Sequence, residues 1–222
     1  MEKLKYRNEL IHVMKVYEIP LRFVKSFLIE DDISILIDSG TPGSGKKIME
    51  WLKESGKDPL KIKYVIFTHT HIDHIGGASE ISIPNVTFLV HPNGLKYAKE
   101  GKARKPIPRS IPTKIFFLFG KAMIEKELPG LQNVKSIDEV DLPDWIEIIY
   151  TPGHTDDSIS ILLKESREIL VGDLLQGSNN GLKYPSIYED ASSLYKSVDS
   201  VKQLKPNMVY VSHGKSSRTF LV

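Results

Sequence analysis

Four side chains able to bind a metal ion lie within a stretch of six residues. They are His69, His71, Asp73 and His74. Residues two apart share one side of an extended chain but diverge on a helix, so His69 and His71 can bind one ion only where the backbone is extended. Apolar packing does not select such groups, and burying them without partners is costly. The spacing therefore predicts a metal site on extended chain, whereas one histidine alone would suit an ordinary surface loop.

Three more candidate ligands occur far along the sequence, at His154, Asp173 and His213. Each stands just beyond a strand-like run, as the first cluster does after the apolar residues 64–67. Sites in layered sheet folds form at the carboxyl ends of strands. We therefore expect one edge of the sheets to gather all of these side chains.

The composition is that of an ordinary folded protein and leaves room for a single domain, 1–222. Thirty Lys and Arg against 28 Asp and Glu give a net charge of +2, which offers no reason to expect nucleic acid as a partner. Cysteine is absent, so a transition-metal site must be built from histidine and carboxylate. No apolar run approaches the ~20 residues that span a membrane, and no secretion signal is evident. We expect a cytoplasmic protein without a membrane partner.

Strands lead and helices interleave in each half of the sequence. Strand patterns fall at residues 11–17, 23–29, 33–37, 64–67, 86–90, 146–150, 158–163, 168–171 and 208–211. Helical spacing falls at 46–55, 94–100 and 191–204. This order predicts an α+β fold in which two sheets pack together with helices outside.

The segment 101–144 lacks a clear pattern. It contains a basic, proline-broken loop at 102–109 and an amphipathic stretch at 115–127. Long irregular stretches in compact domains are often lids or binding loops. We expect a lid or pocket wall here, although the apolar residues at 115–124 would equally suit a homodimer contact.

The ordered motifs resemble those of the metallo-β-lactamase superfamily, and most closely its glyoxalase II-like hydrolases. The resemblance is carried by His69-x-His71-x-Asp73-His74, by Thr151-Pro152-Gly153-His154-Thr155, by Gly172-Asp173 and by Ser212-His213-Gly214. It covers about residues 11 to 214. It implies an αββα four-layer sandwich of two mixed sheets, with metal ions at one edge between them.

The resemblance also implies a role for each ligand. The first ion would be held by His69, His71 and His154, and the second by Asp73, His74 and His213, with Asp173 bridging both. Asp38 matches an early aspartate of the family that braces the histidine-bearing turn, although an aspartate before Ser39-Gly40 also suits a plain turn. All seven ligand positions carry the expected residue type.

Two divalent ions on such ligands predict a hydrolase. Imidazole and carboxylate ligands suit Zn²⁺, with Fe or Mn as alternatives. A hydroxide shared by two ions would attack an ester, thioester, lactone or amide of a small molecule. Asp73 would also orient the nucleophile or pass a proton to the leaving group. Tyr184 and Tyr188 could contact the substrate oxygen, although simple packing is the preferred explanation for these aromatic residues.

Two other functions are consistent with this ligand set. A persulfide dioxygenase with one iron would use the equivalents of His69, His154 and Asp173. A metal-dependent scaffold or sensor would bind ions without turnover. Metal analysis combined with a broad screen of esters, thioesters and lactones separates these alternatives. The sequence leaves the natural substrate open.

A second candidate motif lies at residues 40–47. The run Gly-Thr-Pro-Gly-Ser-Gly-Lys-Lys follows a strand and opens a helix, which approaches a phosphate-binding loop. It departs from that motif at Lys47, where a Ser or Thr hydroxyl is needed for Mg²⁺. We read it as a loop with a helix start. The remaining histidines, His12 and His91, are expected to be structural or exposed.

Overall fold

The first half of the chain builds a six-stranded sheet in which neighbouring strands follow the sequence order. A computed structural model describes residues 14–115, 117 and 127–222. The strands are β1 Lys15–Pro20, β2 Lys25–Glu30, β3 Ser34–Ile37, β4 Ile62–Ile66, β5 Thr87–Val90 and β6 Val134–Ser136. The strands β1 to β3 pair antiparallel, and β3 to β6 pair parallel. All residues of β3 are buried, because both faces of this part of the sheet are covered. This explains why its parallel strands appear in the sequence as continuous apolar runs.

The second half builds a four-stranded sheet in the order β12-β9-β8-β7. Its strands are β7 Ile146–Tyr150, β8 Ile159–Leu163, β9 Glu168–Leu170 and β12 Met208–Tyr210. The strands β9 and β12 are parallel, and the other pairs are antiparallel. A short hairpin, β10 Gln176–Gly177 with β11 Leu182–Lys183, lies between them in sequence.

Helices cover the outer faces of both sheets. They are α1 Ser44–Glu54, α2 Ile72–Ile75, α3 Leu95–Glu100 and α4 Ala191–Gln203, and residues 111–115 are also helical. Three apolar clusters separate the layers. One lies between the first sheet and α1 and α3, one lies between the two sheets, and one lies between the second sheet and α4. This is the predicted αββα order of layers, with the alternating side chains of each strand facing two different clusters.

The structure differs from the predicted elements in two places. The strand β6 lies inside the segment 101–144, so part of that segment belongs to the first sheet. The first strand covers 15–20 rather than 11–17, and residues 11–13, which include His12, lie outside the described residues. Most of the predicted helix at 115–127 also lies outside them. Among the helices that are described, none has the length and apolarity to cross a membrane.

Candidate metal centre

The first histidines lie where β4 ends and α2 begins. Residue His71 has extended backbone angles of φ −69° and ψ 156°, and the helix starts at the next residue, Ile72. Its Nδ1 therefore points to the same place as Nε2 of His69, 3.0 Å away. The backbone is extended at His71, as the sequence predicted, so His69 and His71 lie on the same side of the chain. The turn into α2 then places Asp73 and His74.

Three buried imidazoles form the first group of ligands. Nε2 of His154 lies 3.2 Å from Nε2 of His69 and 3.0 Å from Nδ1 of His71. Burial lowers the pKa of all three histidines, with the neighbouring imidazoles adding to the shift for His69 and His71. The rings are therefore neutral near pH 7, and their converging lone pairs suit a cation that sits between them.

The second group consists of Asp73, His74, Asp173 and His213, whose ligand atoms all lie within 4.8 Å of one another. Nε2 of His213 lies 3.2 Å from Oδ2 of Asp73 and 3.2 Å from Oδ2 of Asp173. The same Asp173 oxygen lies 3.6 Å from Nε2 of His154 in the first group. Asp173 thus lies between the two groups, where a ligand shared by two ions must lie.

Two of the histidines are held by a hydrogen bond at the ring nitrogen that faces away from the centre. Nδ1 of His154 lies 2.7 Å from the Ile187 carbonyl, and Nδ1 of His213 lies 2.8 Å from the Phe23 carbonyl. A carbonyl can only accept, so both Nδ1 atoms carry the proton and donate it. In the neutral form of each ring, Nε2 then carries the lone pair and faces the centre, as a metal ligand requires.

Asp38 fixes the ring of His74 in the same way. The fully buried Asp38 carboxylate lies 2.8 Å from Nδ1 of His74 and accepts hydrogen bonds from the backbone N–H and hydroxyl of Thr68, both at 2.8 Å. The Thr68 hydroxyl in turn lies 3.2 Å from Nδ1 of His69. Asp38 therefore occupies the bracing position that the resemblance implies, at the end of β3. Its φ of 59° is a conformation that aspartate tolerates better than most residues.

The loop after β3 also fixes α2, which has only four residues. The backbone N–H and hydroxyl of Ser39 both donate to the His74 carbonyl, at 2.7 and 2.8 Å. A Cβ at Gly77 would lie 2.3 Å from the Ser39 carbonyl oxygen, so only glycine allows this approach. Such close backbone contacts hold a helix that is too short to be stable alone.

The charges of the second group indicate a need for cations. Burial opposes protonation of His213, yet Asp173 and Asp73 raise its pKa to about 10. Burial likewise opposes the shift at His74, but Asp38 and Asp173 raise its pKa well above the usual value. Within the described residues, Nε2 of His74 and Oδ1 of Asp173 are buried without a hydrogen-bond partner, 3.4 Å apart. A divalent cation would satisfy both atoms, so the residues fit a metal ion.

A cavity of about 270 Å³ opens onto both groups of ligands. Five of the seven ligands face it: His71, Asp73, His154, Asp173 and His213. Much of its remaining wall is apolar, with contributions from Phe23, Pro106, Phe117, Leu175, Pro185 and Ile187. Pro106 and Phe117 come from the segment predicted to form a lid or pocket wall.

The other candidate residues lie away from the metal ligands. The ring of Tyr184 packs against Tyr195 at 4.7 Å, and Tyr188 lies under the guanidinium of Arg109. Neither Tyr184 nor Tyr188 is among the described residues that line the cavity. His91 is half-buried and stacks on Tyr150 with the ring centroids 4.5 Å apart.

The glycine-rich run at 40–47 forms a loop and the start of α1. At the helix N-terminus, where a phosphate-binding loop would hold its ligand, the Glu80 carboxylate accepts hydrogen bonds from the N–H groups of Gly43 and Gly45, at 2.7 and 3.1 Å. Lys46 and Lys47 are exposed. The protein's own carboxylate thus takes the anion's place, which agrees with reading this run as a helix start.

Sequence reasoning missed a cluster of charges next to the histidine loops. Arg104 pairs with Asp156, Asp157 and Glu189. Two signals were available in the sequence, because two adjacent aspartates follow His154 so closely and Arg104 lies in the basic loop. Arg104 and Glu189, however, are 85 residues apart in the sequence, and no local spacing predicts such a pair.

The chain matches the family model of the metallo-β-lactamase superfamily over residues 19–213, a span that includes all seven ligands. The probable metallo-hydrolase YqgX of Bacillus subtilis is 28% identical over 162 residues, which make up 70% of this chain and 67% of YqgX. The chain therefore belongs to the metallo-β-lactamase superfamily. The predicted enzyme class, a hydrolase of that superfamily, is confirmed.

Solved structures show the same fold. MEM-A1, a subclass B3 metallo-β-lactamase from a soil metagenome library, superposes with a TM-score of 0.66 at 22% identity, covering 89% of this chain and 76% of its own. TTHA1623, solved in a di-iron-bound form, gives a TM-score of 0.64 at 17% identity, covering 91% and 93%. The predicted α+β sandwich of mixed sheets and outer helices is confirmed.

Proposed function

We propose that the protein hydrolyses an ester, thioester, lactone or amide bond in a small molecule at a centre of two divalent metal ions. One observation carries this proposal. Two complete groups of ligands lie side by side, share Asp173, and open into one cavity. A purely structural site would have no need of a second group or of an opening to solvent.

Each group supplies ligands of a chemistry that suits zinc, with iron or manganese as alternatives. His69, His71 and His154 would hold one ion, and Asp73, His74 and His213 the other, with Asp173 shared. Two such ions would lower the pKa of a bridging water toward neutrality and polarise the carbonyl of the substrate. The relative TTHA1623 was solved with two irons, which supports a dinuclear centre without fixing the metal of this protein.

The carboxylate of Asp73 has a further role in this proposal. It faces the cavity, and although burial opposes ionisation, His74 and His213 hold its pKa well below the usual value. It is therefore ionised at neutral pH and able to accept a hydrogen bond from the attacking water. When that water attacks, Asp73 would take up its proton and pass the same proton to the leaving group.

The wall of the cavity suits the carbon skeleton of an acyl compound. Its lining combines the imidazoles and carboxylates of the candidate ligands with apolar side chains such as Phe23, Phe117 and Leu175. Burial of an acyl chain against this wall would hold the carbonyl at the metal ligands. We also propose that the protein belongs to the glyoxalase II-like branch of the superfamily. Screening is needed to identify its substrate.

The test combines elemental analysis with a screen of esters, thioesters and lactones. We expect two ions per chain and hydrolysis of at least one substrate class. His71→Ala removes a ligand of the first group and should abolish hydrolysis and lower the metal content, whereas His91→Ala, at a half-buried histidine outside both groups, should change neither. Full activity of metal-stripped protein would contradict the proposal. One iron per chain with no hydrolysis would instead favour the dioxygenase alternative, and bound metal without any turnover would favour a sensor.

A further inference from the structure

The side chain of Arg104 is a buried cation beside the metal ligands. Only 12% of it is exposed, and it stacks on the ring of Tyr97 with its guanidinium carbon 4.8 Å from the centroid. The guanidinium meets three carboxylates, with Nη1 2.8 Å from Glu189, Nε 3.5 Å from Asp157, and Nη2 in contact with Asp156. A cation placed in this way is positioned by the fold and is not simply part of a solvated basic loop.

One connection from Arg104 runs to the first histidine loop through the backbone. Its N–H donates to the carbonyl of Thr70 at 2.8 Å, and the residue pairs with His71 as an isolated parallel bridge. Thr70 stands between His69 and His71, whose ring nitrogens must converge. The position of Arg104 therefore bears directly on the extended segment that sets this spacing.

The other connections run to the loop of His154 through the carboxylates. Asp157, which is only 1% exposed, accepts a hydrogen bond from the Thr70 hydroxyl at 2.6 Å. Glu189 accepts from the N–H of Asp156 at 2.9 Å, and its own N–H donates to the carbonyl of His154 at 3.0 Å. The neighbouring Ile187 supplies the carbonyl that fixes the His154 ring.

We propose that Arg104 is a positioning residue, which locks the loop of His69 and His71 against the loop of His154 so that three nitrogens face one metal ion. The inference rests on the metal centre proposed above and adds a residue that contacts none of the ligating nitrogens. Both loops come from distant parts of the chain and belong to different sheets. Without a fixed bridge, each could shift independently by the fraction of an ångström that matters for metal affinity.

Arginine suits this place for a reason of shape as well as charge. Its planar fork presents five donors, and here three different nitrogens meet three carboxylates. A lysine ammonium is a single point, and it cannot reach all three partners at once. Loss of the cation altogether would leave Asp157 as a buried, unpaired charge, which costs folding energy. The substitution to lysine therefore separates positioning from charge.

The experiment is a titration of metal-stripped protein with Co²⁺, followed by the visible absorption of the bound ion. It is carried out in a His213→Ala background, which removes a ligand of the second group only, so that the second group is weakened and the tighter Co²⁺-binding step is assigned to the triad. Arg104→Lys should weaken Co²⁺ binding to the triad about 10- to 100-fold, the range typical for residues that orient metal ligands. Asp156→Asn, at a carboxylate that is 54% exposed, removes one anchor without burying a charge and should show a smaller loss.

The matched control is Lys57→Met. This change breaks a partly buried ion pair with Glu30 at the far end of β2, so it tests whether a general loss of stability affects the metal. We expect it to leave Co²⁺ affinity unchanged. Unchanged affinity in both Arg104→Lys and Asp156→Asn would overturn the inference, as would an equal loss in Lys57→Met. If Arg104→Lys does not fold, Asp156→Asn decides. Absence of Co²⁺ binding to the wild-type protein would instead contradict the proposed function.

Discussion

At the scale of single residues, Asp38 determines which nitrogen of His74 faces the second group of candidate ligands. The carboxylate is acceptor-only, so the short contact at Nδ1 of His74 requires that this nitrogen carry a proton. The lone pair of His74 then lies on Nε2, which faces Asp173. A change in the hydrogen-bonding character of residue 38 would therefore change which nitrogen of His74 is free.

The variant Asp38→Asn tests this dependence with almost no change in shape. Asparagine also tolerates the positive φ of this position, so backbone strain stays small. An amide group turned toward His74 would donate to Nδ1 and move the proton to Nε2, which then cannot bind a cation. We expect metal affinity of the second group to fall about 10- to 100-fold, and the free energy of unfolding to fall by about 1–3 kcal/mol as buried groups lose partners.

Metal titration and urea denaturation of the variant measure these two effects. The control is Asp58→Asn, which changes an exposed carboxylate that accepts a hydrogen bond from the N–H of Leu60. This control should keep the metal affinity of the wild-type protein. If Asp38→Asn also keeps it, His74 does not depend on Asp38 for its tautomer.

The same scale shows what the sequence could predict about the site. The ligands were identifiable because each of His69, His154 and Asp173 comes just after a strand, and strand ends meet at one edge. The partners of Arg104 were not identifiable, since the choice among many carboxylates depends on which loops the fold brings together. Of the two readings of Tyr184, the structure places it in aromatic packing, and sequence alone gives no direction for such a side chain.

At the scale of secondary-structure elements, local pattern was sufficient for the long elements and insufficient for the short ones. Helix α4 was predicted from its apolar face because it spans more than three turns. The three residues of β6 and the four of α2 are too few to display any period. Their existence depends on pairing with β5 and on backbone contacts from Ser39, which are tertiary in origin.

The far end of β2 is joined to the segment after α1 by an ion pair. Nζ of Lys57 lies 2.8 Å from Glu30, which also accepts a hydrogen bond from the hydroxyl of Tyr17 at 3.2 Å. The bond from Lys57 lowers the pKa of Glu30 below its ordinary value of 4.5. A carboxyl group with a depressed pKa stabilises the fold above its unfolded-state pKa, and this contribution is lost as the pH falls through the folded-state pKa.

The variant Glu30→Gln should therefore be less stable than the wild type only when the carboxyl group is ionised. We expect its free energy of unfolding to be lower by about 0.5–1 kcal/mol at pH 7, because the pair is partly exposed to solvent. The difference, measured by urea denaturation at each pH, should shrink as the pH falls below 4.5 and be lost once the pH has passed the lowered pKa of Glu30. Glu50→Gln, at an exposed position of α1, should show no such dependence. A difference that is constant with pH would mean that packing, rather than charge, holds this contact.

At the scale of the whole molecule, the metal ligands connect the two sheets. His69 to His74 follow β4 of the first sheet, whereas His154, Asp173 and His213 follow strands of the second. The fold class was predictable because the order of strands and helices in each half allows few layered arrangements. The gathering of the ligands at one edge was predictable as well, but the distances between them were not, since these depend on how the sheets pack across their shared apolar core.

Because ions bound at the proposed centre would contact both sheets, their removal should destabilise the entire domain. An ion present at 100 times its dissociation constant stabilises the folded state by about 2.7 kcal/mol, so chelation should lower the urea midpoint clearly. Trp51 packs on the outer side of the first sheet and Trp145 packs at the core between the sheets, so single-tryptophan variants follow each layer separately. We expect the midpoints of Trp51→Phe and Trp145→Phe to equal each other without chelator and to fall together when chelator is added, since the apolar core between the sheets keeps unfolding cooperative. A midpoint that falls for one tryptophan alone would show that the ions stabilise one sheet and not the junction between them.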